Sequence, residues 1–143
     1  MAATFELEVA TPDQLLVREQ VSDAQIPGKF ADDPEKPGGY FGVLPEHAPM
    51  ISELGTGTLS YTVNGKEHSL VVSGGWAEVL PTQTRVLALV AERPDKIDLK
   101  RAQEALGRAE RRLREAGEWD ITRALQAAER ARVRVEAASK AKS

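Results

Sequence analysis

The chain has no cysteine and only two histidines, His47 and His68. Disulfides and thiolate chemistry are excluded, and with the histidines so far apart no metal-binding cluster is visible in the sequence. No stretch reaches the roughly 18 apolar residues of a membrane span, and the N-terminus MAATFELEVA is acidic where a signal or transit peptide is basic. The expectation is a soluble protein made where it works. Breakers are missing from one region: all eight prolines lie at or before Pro94, as do nine of the eleven glycines. The chain is 41% apolar, enough for a core, so a disordered tail is excluded.

Charge divides at the same place. Residues 1–92 carry 5 Lys+Arg against 13 Asp+Glu, a balance of −8, and residues 93–143 carry 14 against 9, a balance of +5. Two parts with different partners are implied, the second suited to an acidic surface or else to a solvated helix face.

Periodicity also changes there. Phe5, Leu7 and Val9 alternate, as do Leu59, Tyr61 and Val63, and side chains at period two share one face of a strand. Asn64-Gly65 is a strong hairpin signal, because both central residues of a type I′ turn need positive φ. Further short runs at 70–72, 76–80 and 85–90, separated by turn residues, predict an antiparallel β-sandwich or barrel over 1–92. From Asp95 onward Leu99, Ala102, Leu106, Ala109 and Leu113 fall three and four apart, the stripe of a helix that Asp95 or Asp98 caps and Gly117 ends in left-handed conformation. Asp120 then caps a second helix with a stripe of Ile121, Ala124, Leu125, Ala128, Ala131 and Val135. The fold class is thus β plus α, a sandwich followed over 93–143 by an antiparallel two-helix hairpin. About half of its stripe is alanine, which buries little, so the hairpin is expected to pack closely but weakly.

Candidate chemistry is sparse. Glu46-His47 has no nucleophile or third group beside it, so acid/base catalysis is not supported. Ser73-Gly74-Gly75 fits neither a nucleophile elbow nor a Walker loop, and is read as a bulge or a close backbone approach. Trp76 is read as core or subunit contact, and His68 as an outward-facing strand residue. No catalytic residue and no required cofactor are expected.

Three stretches carry a resemblance. GVLPEHAPM (42–50), SGGWAEVLP (73–81) and AERPDKIDLKRA (91–102) are similar, in order and spacing, to segments of the epsilon subunits of F-type ATP synthases, and the likeness covers nearly the whole chain. It implies a non-catalytic central-stalk rotor subunit, bound to the gamma subunit and the membrane rotor ring, at the cytoplasmic face of a bacterial plasma membrane. The loop Gly42, Val43, Leu44, Pro45, Glu46 and His47 is then a ring-docking edge. The family's usual glycine before the histidine is Glu46 here, and residues 29–40 look like an inserted exposed loop, read as a tolerated extension. The resemblance further implies a regulatory ATP site from Glu92, Ile97, Asp98, Arg101, Ala102, Arg130 and Arg134. It also implies a hairpin able to extend toward the catalytic beta subunit and inhibit ATP hydrolysis. Residues i and i+4 share a helix face, so Arg130 and Arg134 can present guanidinium forks to phosphate oxygens. Two other readings remain, a free-standing sandwich binding module and a nucleic-acid-binding protein using the basic hairpin. Against the latter, Glu104, Glu110, Glu115, Glu129 and Glu136 interleave the arginines and repel phosphates.

Overall fold

A computed structural model describes residues 3–29, 39–117 and 120–142. Most of the apparent insertion therefore lies outside the described residues. Eight strands, β1 (Phe5–Ala10), β2 (Leu15–Val21), β3 (Asp23–Pro27), β4 (Tyr40–Val43), β5 (Met50–Glu53), β6 (Thr56–Val63), β7 (Lys66–Val79) and β8 (Gln83–Glu92), precede a 3₁₀ turn at Pro94–Lys96. Two helices follow, α1 (Leu99–Glu115) and α2 (Ile121–Lys142). The strands pair in the order β2-β1-β8-β7-β6-β3-β4, with β5 also on β7. All pairs are antiparallel except β1 with β8, which run parallel and make the sheet mixed rather than purely antiparallel.

The alternating residues fill one core: Phe5, Leu7, Val9, Leu59 and Tyr61 are all at most 5% exposed and pack with Val21, Ile26, Leu70, Val72, Val79 and Val86. Asn64 (φ 50°) and Gly65 (φ 81°) make the tight turn between β6 and β7.

Two of the predicted short strands are in fact one. β7 runs unbroken for 14 residues, and Ser73-Gly74-Gly75 lies inside it. Its first half pairs with β6 and its second with β5, so one strand serves both layers of the sandwich. The glycines make this possible. Gly74 and Gly75 have φ of 70° and 109°, and a Cβ on Gly75 would stand 2.0 Å from the Leu87 carbonyl oxygen. Ser73 pairs with Val90 and Gly75 with Ala88, so no residue is inserted, yet inward positions change from even (Leu70, Val72) to odd (Ala77, Val79). Close backbone approach, without a bulge, turns the strand from one layer to the other.

Other expectations are corrected by the packing. His68 pairs with Tyr61 across the β6–β7 hairpin and stacks on its ring at 5.4 Å, so it shares the inner face instead of pointing outward. Trp76 is 57% exposed and not core. Helix α1 ends at Glu115 with Ala116 already extended (φ −68°, ψ 137°), so no left-handed Gly117 is needed. On α2, Ile121 is exposed, while Val133, Ala137 and Ala138, which the predicted stripe omitted, are buried against the sandwich.

Candidate regulatory site and docking loop

The hairpin sits on the outer face of β6 and the first half of β7. Alternation places Thr58, Ser60, Ser69 and Val71 on that face, opposite the core, so its floor is mostly hydroxyl. Val71 is the one sandwich residue in the buried cluster that also holds Ile97, Ala102, Val133, Ala137 and Ala138, with Leu99 and Val135 packed against it. Farther along, an open groove of about 550 Å³ separates the two parts, lined among others by Ser60, Glu67, His68, Glu136 and Lys140. It contains none of the residues named from the resemblance.

Those residues fall into three kinds. Ile97 and Ala102 are buried, 4% and 0% exposed, and are part of the packing. Asp98 caps α1: its carboxylate accepts the Arg101 backbone N–H at 3.1 Å. Arg101 and Arg130 present exposed side chains. Glu92 and Arg134 meet directly. Glu92 pairs with Val71 across β7–β8, which turns it toward the helices. Arg134, one position on from Val133, reaches down to it, Nε donating to Oε1 at 2.8 Å and Nη2 to Oε2 at 3.1 Å. Both nitrogens face both oxygens, the two-pronged geometry that distinguishes arginine from lysine. Sequence reasoning named both residues but not their pairing.

Arg93, which sequence reasoning passed over, bridges elsewhere: its Nη2 donates to the Leu16 carbonyl at 2.7 Å. Burial pushes the Tyr61 hydroxyl above its ordinary pKa, and the nearby Arg93 guanidinium offsets part of that shift.

At the far end of β8 stands the loop. Val43 is buried, Leu44 is 63% exposed, and the His47 N–H donates to the Leu44 carbonyl at 3.2 Å, closing a four-residue turn with Pro45 and Glu46 at its centre. Glu46 has φ 65°. Proline second and a positive φ third is the pattern of a type II turn, whose third position favours glycine. Glu46 N–H also donates to the Pro81 carbonyl at 2.8 Å, tying the loop to the β7–β8 turn. His47 Nδ1 lies 2.7 Å from the Ala48 carbonyl, which can only accept, so this ring nitrogen serves as donor. Among the described residues no group of three or more His, Asp or Glu side chains could hold a metal ion.

Two family models match in succession: the β-sandwich domain of the ATP synthase delta/epsilon chain over residues 4–94, and its long α-helix domain over 95–139. The chain belongs to the ATP synthase epsilon family. It is 48% identical over 141 residues to the ATP synthase epsilon chain of Solibacter usitatus, covering 98% of this chain and 99% of that one. With the epsilon chain of Koribacter versatilis it shares 50% over 117 residues, 82% of this chain and 77% of the relative. Epsilon subunits are non-catalytic stalk components, and this one is not an enzyme by itself. Among solved structures, a chain of the Euglena gracilis mitochondrial ATP synthase OSCP/F1/c-ring assembly shares the fold with a TM-score of 0.77 at 23% identity. That match covers 98% of this chain and 81% of that one. A chain from the Tetrahymena thermophila central stalk and c-ring has a TM-score of 0.55 at 12% identity, covering 97% of this chain and 96% of that one. No described helix of this epsilon-family chain is long and apolar enough to cross a membrane.

Proposed function

We propose that this epsilon subunit is a rotor component that couples the catalytic head to the proton-driven membrane ring and carries a nucleotide-sensitive inhibitory hairpin. It works at the cytoplasmic face of a bacterial plasma membrane, as a peripheral part of the complex. Residues 1–92 serve as the docking unit. The turn at Leu44–His47 meets the ring, with Leu44 presented at its tip. Trp76 and Leu87, which are neighbours across β7–β8, and Leu89 form an exposed apolar face suited to the gamma subunit.

Residues 93–143 act as the regulator. The observation that carries this reading is the poverty of the hairpin's apolar seat: among the described residues the sheet lends the buried cluster Val71 alone, beside the Glu92–Arg134 ion pair and a floor of hydroxyl groups. A hairpin so held has a small free-energy gap between seated and released states, and a ligand or partner that prefers one state shifts it. Released, the +5 segment suits an acidic surface of the catalytic beta subunit, where it blocks rotation in the hydrolysis direction. ATP, held by Arg101, Arg130 and Arg134 with Asp98 and Glu92 at the nucleoside, opposes inhibition by keeping the two helices together.

The test is calorimetric titration of the full chain with ATP beside an Arg130→Ala/Arg134→Ala variant, followed by ATP hydrolysis in the reconstituted complex. Binding is expected at or below millimolar ATP and should fall at least about tenfold in the variant, the loss expected for two charge-assisted contacts. An unchanged affinity in the variant would place ATP elsewhere or nowhere.

A further inference from the structure

One residue of the loop at the far end of β8 is strained with no compensating contact inside the chain. Glu46 has φ 65°, a left-handed backbone that crowds a Cβ. Asparagine and aspartate tolerate that region because their short side chains bond locally, a relief that glutamate lacks. The backbone bonds of the turn do not account for the choice of residue. Glu46 N–H to the Pro81 carbonyl and His47 N–H to the Leu44 carbonyl would form equally with glycine. The carboxylate itself is exposed, and among the described residues no basic side chain pairs with it. A strained residue whose side chain does nothing for the fold points outward, to a partner. We infer that Glu46 is a specificity contact, its carboxylate pairing with a lysine or arginine on the face of the membrane rotor ring that receives this turn. The inference rests on the reading of Leu44–His47 as the ring-docking edge.

The surroundings strengthen such a pair. Leu44, two positions earlier, and Leu80, beside the Pro81 that accepts the Glu46 N–H, are exposed large apolar residues. A partner surface that covers them also displaces water from the nearby carboxylate, and an ion pair is stronger where water is excluded. The same carboxylate, covered without a cation opposite, is penalised, so it rejects a surface that lacks one. Its bond to Pro81 fastens the Glu46 backbone to the β7–β8 turn, and the charge is presented at a fixed point of the sandwich end. Residues 1–92, with their balance of −8, draw a cationic face in from a distance before the specific pair forms.

The test titrates detergent-purified rotor ring with the full chain in complex with the gamma subunit, from low to high ionic strength. Glu46→Gln keeps a side chain in the turn and removes its charge. It should weaken binding about fivefold at low salt, the upper range of an exposed pair, and the gap should close as salt rises. Glu46→Gly should lose as much while raising the stability of the isolated chain, so that docking and stability move in opposite directions. Glu46→Lys should weaken binding beyond the glutamine variant. Leu44→Asp is the control on the docking edge itself. If Leu44→Asp weakens binding while Glu46→Gln matches wild type at every salt, the turn docks and the cation contact is overturned. Loss in the glycine variant alone traces the effect to the stiffness of the turn and overturns it as well. If neither Leu44→Asp nor Glu46→Gln changes the affinity, the docking reading falls and this inference with it.

Discussion

At the scale of single residues, Glu46 and Tyr61 carry the sharpest consequences. Glu46 occupies the glycine position of a type II turn with φ 65°. A side chain there costs about 1–2 kcal/mol, and a glycine returns about 0.4–1 kcal/mol of that through the freer unfolded chain. Glu46→Gly should therefore raise stability by about 0.5–1 kcal/mol, seen as a higher urea midpoint with an unchanged slope. An unchanged midpoint would mean the turn relaxes around glutamate without cost. Tyr61 predicts an alkaline loss. Its hydroxyl ionises near 10 in the unfolded chain and higher when folded, so the unfolded state releases its proton first and stability falls as pH rises beyond 10. Tyr61→Phe should flatten unfolding free energy against pH in that window and leave the neutral range with its own constant offset. The stretch around Pro45-Glu46 was legible as a loop, but its type II turn was not read, because a glutamate at the third position hides the glycine signal. The register of His68 was available, since a two-residue turn at Asn64-Gly65 sets residue 68 opposite 61, and the outward reading neglected it. The Glu92–Arg134 contact was not legible: helix periodicity says which residues share a face, not which strand end that face will meet.

At the scale of elements, caps and glycines decide where the chain changes course. Asp98 begins α1 by accepting the Arg101 N–H, and removing such a cap costs about 1 kcal/mol. Asp98→Ala should lower the hairpin's thermal midpoint, whereas Asp98→Asn, an equally good cap, should leave it nearly unchanged. ATP titration of both variants then separates a capping role from ligand contact: binding lost in the alanine variant and kept in the asparagine variant assigns Asp98 to structure. The two helices were legible from apolar spacing, but the second face of α2 was not, because Val133, Ala137 and Ala138 join a cluster that also takes in Val71 of the sheet and Ile97 before α1. Strand β7 looked like two strands for a physical reason. Adjacent glycines between apolar runs resemble a turn in sequence, and only the cross-strand partners keep them within a ladder.

At the scale of the whole molecule, the sandwich core and the hairpin cluster have no residue in common, and the sheet lends the second cluster Val71 alone. A fragment of residues 1–92 should fold by itself and lose no more than about 2 kcal/mol against the full chain in urea, the worth of one buried valine. A fragment that fails to fold would show that the hairpin completes the sheet. The Leu44–His47 turn and the Glu92–Arg134 pair stand at opposite ends of β8, whose ten residues span about 30 Å. The same distance is crossed by β7, which passes from one layer to the other through Gly74-Gly75. Because a single covalent backbone belongs to both layers, neither can slide over the other without bending that strand. A twist applied at the loop end then reaches the hairpin end as rotation of a nearly rigid block, with its compliance concentrated at two glycines.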